Sequence, residues 1–157
     1  MELNTKGRYA VMAMADLAKH GGHGSVPLAS IAERQQISLA YLEQIFQRLR
    51  RAGLVDSARG RSGGYQLARG PDEITVAEIM QAVDEPVEMT RCLVDGLAGC
   101  VGSAKCLTHD LWRALGDHIL AFLSRVTLRD VLEGEPGRIA MPFAPARDPG
   151  RIEVAAE

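Results

Sequence analysis

The sequence has no run of about 18 apolar residues, so no segment reads as a membrane-crossing helix. Its opening residues, Met-Glu-Leu-Asn-Thr-Lys-Gly-Arg, lack the apolar core of a signal peptide. The expectation is a cytoplasmic protein without a membrane partner. It has no internal repeat, no nucleophile elbow, no P-loop lysine after its glycines and no catalytic metal motif, and its carboxylates are scattered. Enzymatic readings are therefore disfavoured. Cysteine is scarce: there are three, all between positions 92 and 106. In a reducing compartment an odd cluster of thiols argues for metal or redox chemistry rather than a disulphide framework.

What is present divides the chain in two. Residues 1 to 70 carry ten Lys or Arg against five Asp or Glu, whereas residues 71 to 157 carry eight against fifteen. The small net charge of −2 conceals a basic front half suited to a polyanionic partner. With 157 residues, 46% of them hydrophobic, the chain is long enough to bury a core without staples.

Asn4 or Thr5 can cap a first helix with Ala10, Met14 and Leu17 on one face, ending at Gly21-Gly22. After Val26-Pro27, the spacing of Leu28, Ile31 and Ala32 predicts a second helix, finished by Gln35 and Gln36. Ser38 can cap a third, whose core face is Leu42, Ile45, Phe46 and Leu49 and whose opposite face presents Ala40, Gln44, Gln47, Arg48 and Arg51. Two helices joined by so short a turn match a helix-turn-helix whose second helix enters the major groove. Gln44 can pair with adenine, Glu43 can accept from cytosine, and Arg48, Arg50 and Arg51 suit phosphates.

Leu54 to Ser57 and Tyr65 to Leu67 read as strands joined by a cationic Gly-Arg tip, a wing whose Arg59 can enter a narrow minor groove. Ile74 can add a third short strand. Thr75 and Glu78 form a capping box for a helix that Pro86 ends. Leu111, Leu115, Ile119, Phe122 and Val126 predict a long amphipathic helix over 107–126. Its exposed apolar face calls for a second copy of the chain. Thr127 caps a last short helix, and the remainder is without periodicity. The fold class expected is mainly α with a small β wing. Residues 1–85 form a winged helix-turn-helix, 86–106 a metal-binding loop, 107–133 a dimerisation helix with a short terminal helix, and 134–157 a disordered tail.

The candidate DNA-binding set is Ser38, Ala40, Tyr41, Glu43, Gln44, Arg48 and Arg51 on the third helix with Arg59, Gly60 and Arg61 on the wing. The candidate metal donors are Cys92, Cys100, Cys106 and His109. Three thiolates and an imidazole suit an iron-sulphur cluster or zinc, although the tight cysteine pairs usual in zinc ribbons are missing. Spacing alone leaves iron-sulphur, zinc and a metal-free thiol sensor open.

Four stretches are familiar together: Lys-Gly-Arg-Tyr-Ala-Val at 6–11, Ile-Ser-Leu-Ala-Tyr-Leu-Glu-Gln-Ile-Phe at 37–46, Arg-Gly-Arg-Ser-Gly-Gly-Tyr at 59–65 and Cys-Leu-Thr-His-Asp-Leu-Trp at 106–112. Over residues 1–133 the chain resembles the IscR-type iron-sulphur cluster regulators, within a wider winged-helix family of small sensors. The resemblance implies a homodimeric transcription regulator, repressor or activator. It would carry a 2Fe-2S cluster on Cys92, Cys100, Cys106 and His109, sense cluster status or oxidative and nitrosative stress, and control cluster-assembly genes. Its implied partners are a double-stranded DNA operator, a second copy and cluster-assembly proteins. It also suggests that Glu43 discriminates between operator classes. Two departures stand out: the interval from Cys92 to Cys100 is longer than the resemblance calls for, and Ala40 stands where a small polar residue is usual. A thiol-redox regulator of the same fold and a zinc-stabilised interaction module are the alternatives.

Overall fold

The computed structural model describes residues 5–58, 63–84 and 105–134. Expectations for Asn4, the wing tip, Pro86, most of the cysteine segment and the tail beyond 134 lie outside those residues. Helix α1 (Thr5–His20) buries Ala10, Ala13, Met14 and Leu17, the face expected, and gives way to a 3-10 turn at Gly21–His23. Helix α2 (Leu28–Gln35) packs on it through Ile31 and Ala32.

Gln36 then takes a left-handed backbone, φ 54°, and the Ile37 amide donates to the Ala32 carbonyl at 3.1 Å. This closes the helix end and drives Ile37 into the core, which fixes the turn into α3 (Leu39–Arg51). Ser38 Oγ accepts from the Tyr41 amide, as an N-cap should. Leu42, Ile45, Phe46 and Leu49 of α3 are all buried.

Strands β1 (Val55–Ala58) and β2 (Gly64–Leu67) pair antiparallel, with Val55 opposite Leu67 and Ala58 opposite Gly64. Among the described residues the sheet has these two strands alone, so Ile74 adds no third. The free edge of β2 is met instead by Val26, which exchanges two backbone bonds with Tyr65 at 2.8 and 2.9 Å. Ile74 leads to a single bridge between Thr75 and Thr127. The chain cannot stay extended there because each threonine at once caps a helix. Thr75 forms a capping box with Glu78 on α4 (Val76–Ala82), and Thr127 forms one with Asp130 on α6 (Leu128–Glu133).

Gly64 is required by the close approach of Val26. A methyl group there would lie 2.4 Å from the Val26 carbonyl oxygen, and backbone cannot step aside as a side chain can. Gly64→Ala is expected to destabilise the fold by about 2 kcal/mol. Denaturant titration checks this, and a loss below about 0.5 kcal/mol would show the approach to be loose.

Helix α5 is shorter than periodicity predicts, running His109–Leu123 rather than over 107–126. Ser124 Oγ turns back to the Leu120 carbonyl at 2.8 Å, and the Val126 carbonyl accepts from the Val76 amide at 2.9 Å. That capture pulls Val126 out of the helix and into a cluster with Val76 and Met80, against which Phe122 and Leu123 pack.

Candidate nucleic-acid interface and metal donors

The outer face of α3 is built by default: with its apolar stripe buried, the residues between are left to solvent. Ala40, Glu43, Gln44, Gln47 and Arg51 are exposed there. At the end of this face the arginines diverge. Arg48 pairs through Nη1 with Asp84 Oδ2, just beyond α4, whereas Arg50 donates to Ser57 Oγ on β1 at 3.3 Å. Arg51 makes no ion pair among the described residues.

Two predicted contacts are partly committed elsewhere. Ser38 Oγ caps the helix, and the Tyr41 ring is half-buried and edge-on to Tyr9 at 6.0 Å. Arg59, Gly60 and Arg61 lie outside the described residues, but the strands that flank them are anchored: Tyr65 stacks edge-on to Phe46 at 4.8 Å, tying the wing to α3.

Of the candidate metal donors, Cys106 and His109 are described, and Cys92 and Cys100 are not. The His109 amide donates to the Cys106 carbonyl at 3.0 Å, a single turn that brings the two together at the start of α5. His109 is buried at 8% exposure and Cys106 is half-buried, with its sulphur 3.6 Å from Thr108 Oγ1. Among the described residues, no three His, Cys, Asp or Glu converge as a metal site. The described half of the candidate set, a soft thiol and a shielded imidazole one turn apart, has the chemistry that suits either zinc or an iron-sulphur cluster.

Beyond this pair, α5 exposes Leu111, Trp112 and Leu115 and half-buries Ile119, within an arc of about 100° at the helical repeat. Leu107, before the helix, and Leu120 are exposed as well. Trp112 and Leu120 escape a reading that follows only the 111, 115, 119, 122 line; an apolar residue beside each of those positions was the available signal.

A buried acid was also missed. Asp16 on α1 is 5% exposed and receives Arg34 Nε at 3.0 and 3.2 Å, Arg34 Nη2 at 2.5 Å and Gln35 Nε2 at 2.8 Å. Burial alone would raise its pKa, but the hydrogen bonds from Arg34 and Gln35 and the nearby positive charge outweigh it and hold the carboxyl below its ordinary value.

A family model described as an iron-dependent transcriptional regulator, Rrf2, matches residues 3–134. The chain belongs to the Rrf2 family. It is 55% identical over 135 residues to the HTH-type transcriptional regulator IscR of Photorhabdus laumondii, covering 86% of this chain and 81% of the relative. The Escherichia coli O1:K1 IscR is 53% identical over 135 residues, 86% of this chain and 82% of its own. Among solved structures, T. potens IscR superposes with a TM-score of 0.69 at 40% identity, over 90% of this chain and 93% of that one. CymR, the global cysteine regulator of B. subtilis, gives 0.71 at 36%, over 85% and 98%. The regulator is thus a DNA-binding transcription factor of the IscR type with a winged-helix fold, in a family of regulators rather than enzymes. Among its described residues no helix is long and apolar enough to cross a membrane.

Proposed function

We propose that this regulator works as a cytoplasmic homodimer that holds a 2Fe-2S cluster on Cys92, Cys100, Cys106 and His109 and reads operator DNA with α3 and the wing. The observation that carries the reading is the Cys106–His109 turn, which puts a soft thiol and a borderline imidazole at the N-terminus of the helix with the exposed apolar arc. When bound, the cluster supplies a redox-active, oxidant-labile centre, and a histidine donor raises its potential relative to four thiolates.

In this reading residues 1–85 read DNA, the segment over 86–106 with His109 is the sensor, and residues 107–133 pair the two copies. Leu111, Trp112, Leu115 and Ile119 supply the apolar contact, joined by Leu120. Gln44 and Glu43 read base edges, Arg51 takes a phosphate with Arg48 beside it on the same DNA-facing surface, and Arg59 with Arg61 enters the minor groove beside Gly60. Ala40 and Tyr41 line the same surface, and Ser38 serves it by capping. Cluster occupancy shifts the dimer between DNA-competent conformations by differential affinity. Cluster-assembly genes are the targets, and cluster-assembly proteins are further partners.

Anaerobically purified full-length protein is expected to show visible charge-transfer absorption with two irons and two sulphides per chain. Colourless protein holding one zinc would favour an interaction module, and colourless metal-free protein a thiol sensor; either sinks the cluster. Duplex affinity is expected to fall linearly with salt on logarithmic axes, whereas a flat response would contradict phosphate contacts.

A further inference from the structure

Asp84 lies just beyond the C-terminal end of α4. It follows α4 in a left-handed backbone, φ 53°, a conformation that glycine takes freely and that Asp and Asn tolerate better than other residues. A carboxylate beyond a helix C-terminus is the wrong sign for the helix dipole. The structure shows what the carboxylate touches: it is paired with Arg48 of α3, across a cleft of about 280 Å³ lined by Arg48, Arg51, Ala52, Ala82 and Asp84.

We propose that Asp84 is an internal competitor for DNA phosphate. It occupies the Arg48 guanidinium and keeps that arginine out of the phosphate contacts until Asp84 is neutralised or displaced. The proposal rests on the reading of α3 as the DNA-facing helix. Arg48 is 40% exposed and Asp84 77%, so the pair is open to solvent and weak enough to be exchanged. A phosphate that reaches Arg48 arrives beside a carboxylate and is repelled by it, so Arg48 contributes little while Asp84 is charged. Arg51, in the same cleft and without an ion pair among the described residues, contributes fully. The consequence is a damped sequence-independent affinity, which leaves more of the binding to base contacts.

The test is fluorescence anisotropy of a labelled random-sequence duplex with the full-length protein across a salt series. Asp84→Asn, and Asp84→Gly as the variant that suits the backbone, are each expected to tighten binding by about fivefold per protomer. An exposed ion pair sets that ceiling. The salt slope should steepen by about one per protomer. In an Arg48→Gln background the same substitutions should gain nothing. Unchanged or weaker binding by both variants would overturn the proposal, as would an equal gain without Arg48, which would be a net-charge effect. Arg51→Gln separates the two readings. If it weakens binding while the Asp84 variants change nothing, the competitor fails alone; if it too leaves affinity and slope unchanged, α3 does not face DNA and the proposal falls with it.

Discussion

Phe46→Ala is expected to lower stability by about 4 kcal/mol, a large part of what a domain of this size possesses. Phe46 is fully buried on the inner face of α3 and meets Tyr65 of β2 edge-on at 4.8 Å, so one ring joins α3 to the wing. Truncation removes the transfer energy of a phenyl ring and leaves a void that rigid neighbours fill only in part, and it also deletes an aromatic pair. Loosening should be greatest at β2, because Tyr65 also holds Val26 through two backbone bonds. Urea unfolding measures the total, and hydrogen exchange locates it. The amides of Val26 and Tyr65 should lose more protection than those of α6, which packs on α1. Phe46→Leu, keeping most of the volume, should recover the greater part. A loss below about 1.5 kcal/mol for the alanine variant would mean that Phe46 is not the joint proposed here.

Much of this was legible because it rests on local rules. The stripe of Leu42, Ile45, Phe46 and Leu49 predicts α3 and its inner face, and its outer face follows by exclusion. Thr75 with Glu78 reads as a capping box three residues apart. The candidate donors stand out by residue type, while the turn that joins Cys106 to His109 is seen in the fold. What periodicity does not register is capture by a distant backbone. Val126 continues the apolar line of α5, yet its carbonyl belongs to Val76, fifty residues earlier in the chain, and the helix ends at Leu123. Ile74 suggests a strand because a lone apolar residue before a helix cap looks locally like a strand end, and only the fold limits the pairing there to one bridge, Thr75 to Thr127. The Arg48–Asp84 pair spans 36 positions and has no local signature, because only the fold brings the end of α4 beside α3. Asp16 left a faint trace, a lone acid on the face that carries Ala13 and Leu17, but its partner Arg34 lies 18 positions on and only the fold joins them.

Removing that acid should be costly, and in a pH-dependent way. Asp16→Ala is expected to destabilise the regulator by about 3 kcal/mol near neutral pH, the lower end for a broken buried ion pair. The lower end applies because the Asp16 side chain is 2% exposed but Arg34 is 35% exposed and can return to water. Arg34→Ala should cost at least as much, since it strands the carboxylate inside with Gln35 and His20 as its remaining polar neighbours. The sign of the pH effect follows from the direction of the shift. The folded carboxyl is held below its ordinary value, so the unfolded chain binds the proton more readily. The contribution is therefore complete above about pH 4 and is lost as pH falls through the depressed folded value. Other acids held low, Glu78 and Asp130 among them, also weaken the fold on acidification, but they do so in parent and variant alike. Urea unfolding of both proteins at about pH 7 and about pH 3 isolates Asp16, and the gap between them should narrow at the lower value. A gap of the same size at both values would place the effect in packing rather than charge. A gap that widened on acidification would reverse the sign and remove the Arg34 pair as its cause.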